Sequence, residues 1–180
     1  MVQSVELLFD DGTEATLRAA WGVLHAAGLP SLATSHSDSN RPHVTVAVAE
    51  AGLERAVDPL RAVFAGWELA SAGLAATLGG FVLFGGYRHR YVLARAVVLS
   101  RPLQTLHSAV HRAVGLAAPE AAVPENVRPD AWTPHATLAR RVLADRLGPA
   151  LELLDARPLP CRFTGARLWD SGPKTVTPLT

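Results

Sequence analysis

The chain has 180 residues, 49% of them hydrophobic and 18% charged, and its 17 basic and 16 acidic residues leave a formal net charge of +1. That composition excludes a disordered chain and is large enough for one compact domain with its own core, expected to span 1–180. The charge balance excludes a general field that could gather a long nucleic-acid backbone, so a nucleic-acid substrate would be small or held locally.

In chain order, Met1-Val2-Gln3-Ser4-Val5-Glu6 lacks the basic start and apolar run of a signal peptide, which gives a cytoplasmic expectation. Val5 to Phe9 reads as a short strand. Asp11, with Glu14 three residues on, reads as an N-cap opening a helix that keeps Leu17, Trp21, Leu24 and Gly28 at helical spacing. Pro30 and the polar run Ser35-His36-Ser37-Asp38-Ser39-Asn40 form a loop before a strand entered at Pro42. Gly52 to Phe64 is helical by period, interrupted or restarted at Pro59. Trp67 to Ala75 and Thr77 to Phe84 read as strands around glycine bends, followed by Tyr91 to Leu99. The stretch from Leu69 to Gly86 contains Ser71 and five Gly, too short and too broken for a membrane helix. Ser100 caps a helix with Pro102 in its first turn and Leu103, Leu106, Val110 and Val114 at core spacing. A Pro-rich loop from Pro119 to Pro129 precedes another strand, then Leu143, Leu147, Leu151 and Leu154 mark a last helix and Cys161 to Leu168 a closing strand. Cys161 is the only cysteine, so no internal disulfide and no cysteine-based metal cluster can form.

Within this order one phrase occurs twice: Arg41-Pro42-His43-Val44-Thr45-Val46-Ala47 and Thr133-Pro134-His135-Ala136-Thr137-Leu138-Ala139. With 13 Pro and 12 Thr, a given His carries Pro before it and Thr two after with a chance of roughly one in two hundred, so two copies are not accidental. In an extended strand His43, Thr45 and Ala47 share one face, and Val44, Val46 and Val48 the other. The two His lie 92 residues apart, and each half reads strand, helix, His strand, helix, strand. This implies an internal duplication, with pseudo-repeat lobes of about 1–85 and 86–180 facing each other. Two imidazoles and two hydroxyls converging on one small group suit a phosphodiester: one His accepts a proton from the attacking oxygen, the other protonates the leaving oxygen, and the hydroxyls hold the non-bridging oxygens. An unperturbed pKa near 6.5 lets His serve either role.

The paired His-x-Thr phrases, His43-Val44-Thr45-Val46 and His135-Ala136-Thr137-Leu138, in a duplicated chain of this length resemble the two-histidine phosphoesterase superfamily, and most closely its bacterial 2'-5' RNA ligase-like branch. Pro134-His135-Ala136-Thr137-Leu138-Ala139-Arg140 is similar to that branch's second motif, while Val46-Ala47-Val48-Ala49 replaces its usual aromatic-containing continuation. The resemblance implies an α+β fold, bilobal with a pseudo-twofold axis, in which two antiparallel sheets form a central cleft and helices pack outside. It implies cofactor-free, metal- and ATP-independent chemistry on 2',3'-cyclic phosphates or 2'-5' linkages of RNA ends or small nucleotides. On that resemblance His43 and His135 are the acid and base pair, Thr45 and Thr137 clamp the phosphate, His135 activates water and His43 protonates the leaving oxygen.

Other residues carry weaker signals. Tyr87 and Arg88, in Gly85-Gly86-Tyr87-Arg88-His89-Arg90, place an aromatic and a cation beside a glycine bend, where they could stack a base and pair with phosphate; a plain basic turn is the simpler reading. Arg41 and Arg140 adjoin the motifs and offer charge for phosphate, although strand alternation turns Arg140 away from the His135 face. Trp132 is close enough to His135 to wall the cleft, whereas Trp21 and Trp67 read as core. His107 and His111 stand four apart, as in some zinc sites, but with no third ligand they read as a solvated helix face, and His25 and His36 have no partner pattern. A non-catalytic binding module for a nucleotide or RNA end is the alternative function; metal-dependent hydrolysis lacks carboxylates within the motifs. A monomer is favoured.

Overall fold

The computed structural model describes residues 2–35, 37 and 39–180; His36, part of the expected loop, lies outside them. The described residues form seven strands and four α-helices, in chain order β1 (Gln3–Phe9), α1 (Asp11–Ala26), β2 (His43–Ala49), α2 (Val57–Gly66), β3 (Leu74–Gly85), β4 (Arg90–Val97), α3 (Arg101–Ala117), β5 (His135–Leu143), α4 (Leu147–Glu152), β6 (Leu159–Asp170) and β7 (Thr175–Pro178). Among the described residues, no helix is long and apolar enough to cross a membrane.

The capping chemistry fixes the helix starts. Asp10 rather than Asp11 caps α1: its carboxylate accepts from the Thr13 backbone N–H at 2.9 Å and from the Thr13 hydroxyl at 2.7 Å. Ser100 caps α3 as expected, with Pro102 in the first turn. Pro59 falls in the first turn of α2, where its missing N–H costs nothing, and a short 3-10 turn at Leu53–Ala56 precedes it. The expected strand from Trp67 to Ala75 does not form before Leu74. Trp67 closes α2 by donating to Val63 and Phe64, and the Ala72 and Gly73 N–H groups both donate to Glu68, so those donors are spent inside the turn. Gly73 ends it at φ 69°, with the Phe163 carbonyl 3.2 Å from where a Cβ would stand. The last helix is only Leu147–Glu152, because Leu143 stays in β5, and β7 was not anticipated.

The strands pair antiparallel in the order β2-β1-β6-β3-β4-β5, with β7 on β6. Two separate sheets were expected, but the ladder is continuous because β3 and β6 are 12 residues each and change partners part-way. β6 pairs with β3 through Leu159–Phe163 and with β1 through Phe163–Asp170, while β3 pairs with β6 through Leu74–Leu78 and with β4 through Leu78–Gly85. The six-strand order reads the same from both ends when β1, β2 and β3 are exchanged with β4, β5 and β6. The sheet curls until its terminal strands β2 and β5 touch; α1 packs against β5, and α3 against β2. Leu7, Val44, Val46, Phe64, Leu93, Leu103, Leu138 and Phe163 are among the fully buried side chains that fuse these layers into one core.

The structure corrects the reading of α3. His107 is fully buried with Leu103, Leu106, Val110 and Val114, and its ring lies flat on the Trp132 indole, 3.8 Å between centroids and 2° between planes. His111 is drawn in beside it, its Nε2 bonded to the Val46 carbonyl at 2.9 Å. Burial, reinforced by the neighbouring His111, pushes His107 down to about 4. The unfolded chain therefore binds a proton here that the folded chain refuses: the contribution to stability is complete above about pH 6.5 and is lost as pH falls toward 4. Urea unfolding at pH 7 and pH 5 is expected to differ by about 2 kcal/mol from this group, a difference absent in His107→Phe.

Candidate active site

The two His strands share a local irregularity that residue alternation alone does not reveal. Val5 pairs with Ala47 and Glu6 with Thr45, so Val46 is an extra residue in β2; Leu93 pairs with Ala139 and Ala94 with Thr137, so Leu138 is an extra residue in β5. A bulge inverts the facing of everything beyond it. Ala47 and Ala139 turn into the core, while Val48 and Arg140 move onto the face of the imidazoles. Both consequences correct the simple alternation, which placed Ala47 with His43 and pointed Arg140 away.

Ring N–H groups satisfy the backbone at each bulge. Trp132 Nε1 donates to the Thr45 carbonyl at 3.0 Å, and Trp21 Nε1 to the Thr137 carbonyl at 3.1 Å. Trp21 is thus core, as read from the sequence. Trp132 is 8% exposed and lies behind β2 rather than in the cleft, a correction to its expected place on the cleft wall. Its ring is used up by His107 on one face and by the N–H bond at its edge.

Both catalytic candidates are oriented in the same way. His43 Nδ1 is 2.7 Å from the Arg41 carbonyl, and His135 Nδ1 is 2.7 Å from the Thr133 carbonyl. A carbonyl only accepts, so Nδ1 carries the hydrogen in each ring and Nε2 is left to exchange protons. The intervening Pro42 and Pro134 hold the preceding residue extended, which sets that carbonyl beside its own imidazole. His43, Thr45 and Arg140 line a cavity of about 590 Å³ with Ser4, Glu6, Asn40, Arg167 and Trp169. His135 and Thr137 are half-buried on the matching face of β5. Burial pushes His135 below the ordinary imidazole range, and the charges of His43 and Arg140 push the same way, against the bond to Thr133.

The flanks of the two rings differ. Phe84 tilts against His135 with ring centroids 4.4 Å apart. Glu6, 3% exposed, lies 3.5 Å from His43 Nε2 through Oε1; Ser4 Oγ donates to the same oxygen at 2.7 Å, and Arg167 Nε donates to Oε2 at 2.7 Å. Arg167 also reaches the Ser39 carbonyl at 2.7 Å. Neither Glu6 nor Arg167 was singled out from the sequence; the only signal was a lone carboxylate inside the apolar run Val5-Glu6-Leu7-Leu8.

The remaining candidates are not brought to this centre. Arg41 donates to Glu14 Oε2 from Nε at 2.9 Å and from Nη2 at 2.6 Å, so its guanidinium ties the strand entry to α1, and only its carbonyl serves His43. Tyr87 is 78% exposed at the β3–β4 turn, with the Arg88 guanidinium 5.2 Å above its ring. That turn follows β3, whose Phe84 packs against His135.

A model of the 2'-5' RNA ligase superfamily matches residues 17–172, which include both His-x-Thr strands. The chain belongs to the 2'-5' RNA ligase superfamily, whose members are two-histidine phosphoesterases. Among solved structures, this superfamily chain is similar to Kluyveromyces marxianus Usb1, with TM-score 0.55 and 15% identity over 99% of this chain and 97% of that one. Usb1 from the same yeast with uridine monophosphate gives TM-score 0.54 at the same identity and coverage. No curated protein matches the chain.

Proposed function

We propose that the protein is a metal-independent phosphoesterase that cleaves 2',3'-cyclic phosphates or 2'-5' phosphodiester linkages at RNA ends or in small nucleotides, with His43 and His135 as acid and base and Thr45 and Thr137 holding the phosphate. The observation that carries this reading is the matched pair of imidazoles, each with Nδ1 tied to a carbonyl and Nε2 left for proton exchange, on strands that meet where the sheet curls shut. A binding module has no use for two such rings. In hydrolysis, His135 Nε2 takes a proton from water as the water oxygen bonds to phosphorus; the bond to the leaving oxygen breaks, and His43 Nε2 gives that oxygen a proton. Charge builds on the non-bridging oxygens, where the two hydroxyls and the Arg140 guanidinium can bond to them. The lowered proton affinity of His135 suits the accepting role, because a base must start neutral.

The shared bulge position and the self-mapping strand order support an internal duplication with lobes of about 1–85 and 86–180. The uridine monophosphate in the similar yeast structure supports an occupant of nucleotide size, and the lone buried Cys161 is consistent with a cytoplasmic setting. Hydrolysis of nucleoside 2',3'-cyclic monophosphates in the presence of EDTA tests the reading. Chelator-resistant turnover, lost in the His43→Ala/His135→Ala double variant, is the expected result. Turnover abolished by EDTA would overturn the metal-free mechanism, and nucleotide binding with no turnover on cyclic, 2'-5' linked or RNA-end substrates would leave the binding module in its place.

A further inference from the structure

The two halves of the cleft match in backbone but not in chemistry, and the mismatch falls on one residue. Opposite Thr45 in the β1–β2 ladder stands Glu6, and opposite Glu6 in β6 stands Arg167. Opposite Thr137 in β4 stands Ala94, and opposite Ala94 in β3 stands Val82. One imidazole therefore has a buried carboxylate beside Nε2, while its counterpart meets Phe84. We infer that Glu6 is a positioning residue that commits His43 to the role of proton donor and leaves His135 as the acceptor, an inference that rests on the phosphoesterase reading above.

Glu6 is built to hold its place. Arg167 Nε and Ser4 Oγ fix one oxygen each, and the residue is almost wholly buried, so the geometry toward His43 is set by three strands rather than by a mobile side chain. The groups facing His43 are Glu6 from β1, Arg167 from β6, and Arg140 and His135 from β5; Arg41 is turned away onto Glu14. Without the Glu6 charge, a protonated His43 would face Arg140 and Arg167 with no compensating anion. With it, Oε1 is available to the Nε2 proton until the leaving oxygen takes that proton. Around His135 the charged neighbours are His43 and Arg140, both of which disfavour a second cation. The division of labour between two otherwise equivalent rings then follows from one carboxylate. It also sets the direction of the reaction across the cleft: the leaving group departs into the cavity lined by Ser4, Asn40 and Trp169, and water enters beside Phe84.

The test is the pH profile of kcat/KM for a nucleoside 2',3'-cyclic monophosphate, measured for the native protein, Glu6→Gln and Glu6→Asp. Its high-pH limb reports the group that must be protonated, its low-pH limb the group that must be neutral. Glu6→Gln is expected to move the high-pH limb down by about one pH unit, roughly a tenfold loss on its alkaline side, with the low-pH limb in place. Glu6→Asp should restore much of the shift. Both limbs unmoved, or the low-pH limb moved instead, would overturn the inference while leaving the phosphoesterase reading intact. If thermal melts show that Glu6→Gln does not fold, histidine side-chain nitrogen spectra of the native protein decide instead, with the two rings assigned from His43→Asn and His135→Asn. His43 is expected to keep its Nε2 proton to higher pH than His135; the reverse order, or no difference, would overturn the role of Glu6. The spectra need no turnover, so a native protein inactive on every phosphodiester would sink the functional reading alone.

Discussion

His43→Ala and His135→Ala are each expected to lower kcat on a 2',3'-cyclic nucleotide by about 10²–10⁴-fold, the range lost when one positioned acid or base is removed. The fold should survive both changes. His43 is 26% exposed, and its ring has one short bond, from Nδ1 to the Arg41 carbonyl, whose loss costs about 1 kcal/mol. His135 likewise bonds the Thr133 carbonyl and touches Phe84, so its removal leaves a hole at the cleft edge rather than in the core. On the proposed mechanism the two rings act in one proton-transfer sequence, so the double variant should be little slower than the worse single. Thr45→Val and Thr137→Val remove one hydroxyl contact each and should cost less, about tenfold. Steady-state kcat with EDTA, alongside melts monitored by circular dichroism, separates these outcomes. A single His variant that is well folded and turns over near the native rate would end the acid and base assignment.

The parts of the site that were legible in the sequence are those encoded by residue type at fixed spacing. The two Pro-His-x-Thr phrases pick out the candidate imidazoles and hydroxyls, and Ser100 with Pro102 announces α3. What was illegible depends on pairing between strands far apart in the chain. A bulge is one surplus residue in a ladder, and Val46 or Leu138 looks like any other strand residue; hence Arg140 read as facing away although it shares the cleft. Glu6 was not singled out, because Arg167, the partner that lets it be buried, lies 161 residues further on. His107 is different, since its signal was present: it follows Leu103 by four and precedes Val114 by seven, the spacing of the buried face of α3. Reading it as solvated gave its polarity more weight than its period.

Trp132 shows how the layer behind a site controls it. Trp132→Ala is expected to destabilise the protein by about 3–5 kcal/mol, because it removes a buried indole, the stack on His107 and the N–H donor to Thr45 together. In a domain of this size that lowers Tm by about 10 °C or more. Trp132→Phe keeps most of the stacking surface but leaves the Thr45 carbonyl without its donor, a loss of about 1–3 kcal/mol. The carbonyl belongs to the residue whose hydroxyl faces the cleft, and the adjoining Val46 carbonyl is held by His111, so the bulge that sets the facing of Val48 is tied down by these two rings. On the proposed mechanism, loosening it should lower kcat more than it raises KM, since the hydroxyl proposed to hold the phosphate loses its position rather than its chemistry. A cleft-wall tryptophan would give the opposite pattern in Trp132→Phe, a raised KM at unchanged Tm. Thermal melts and steady-state kinetics on the same preparation therefore distinguish a buried brace from a substrate contact.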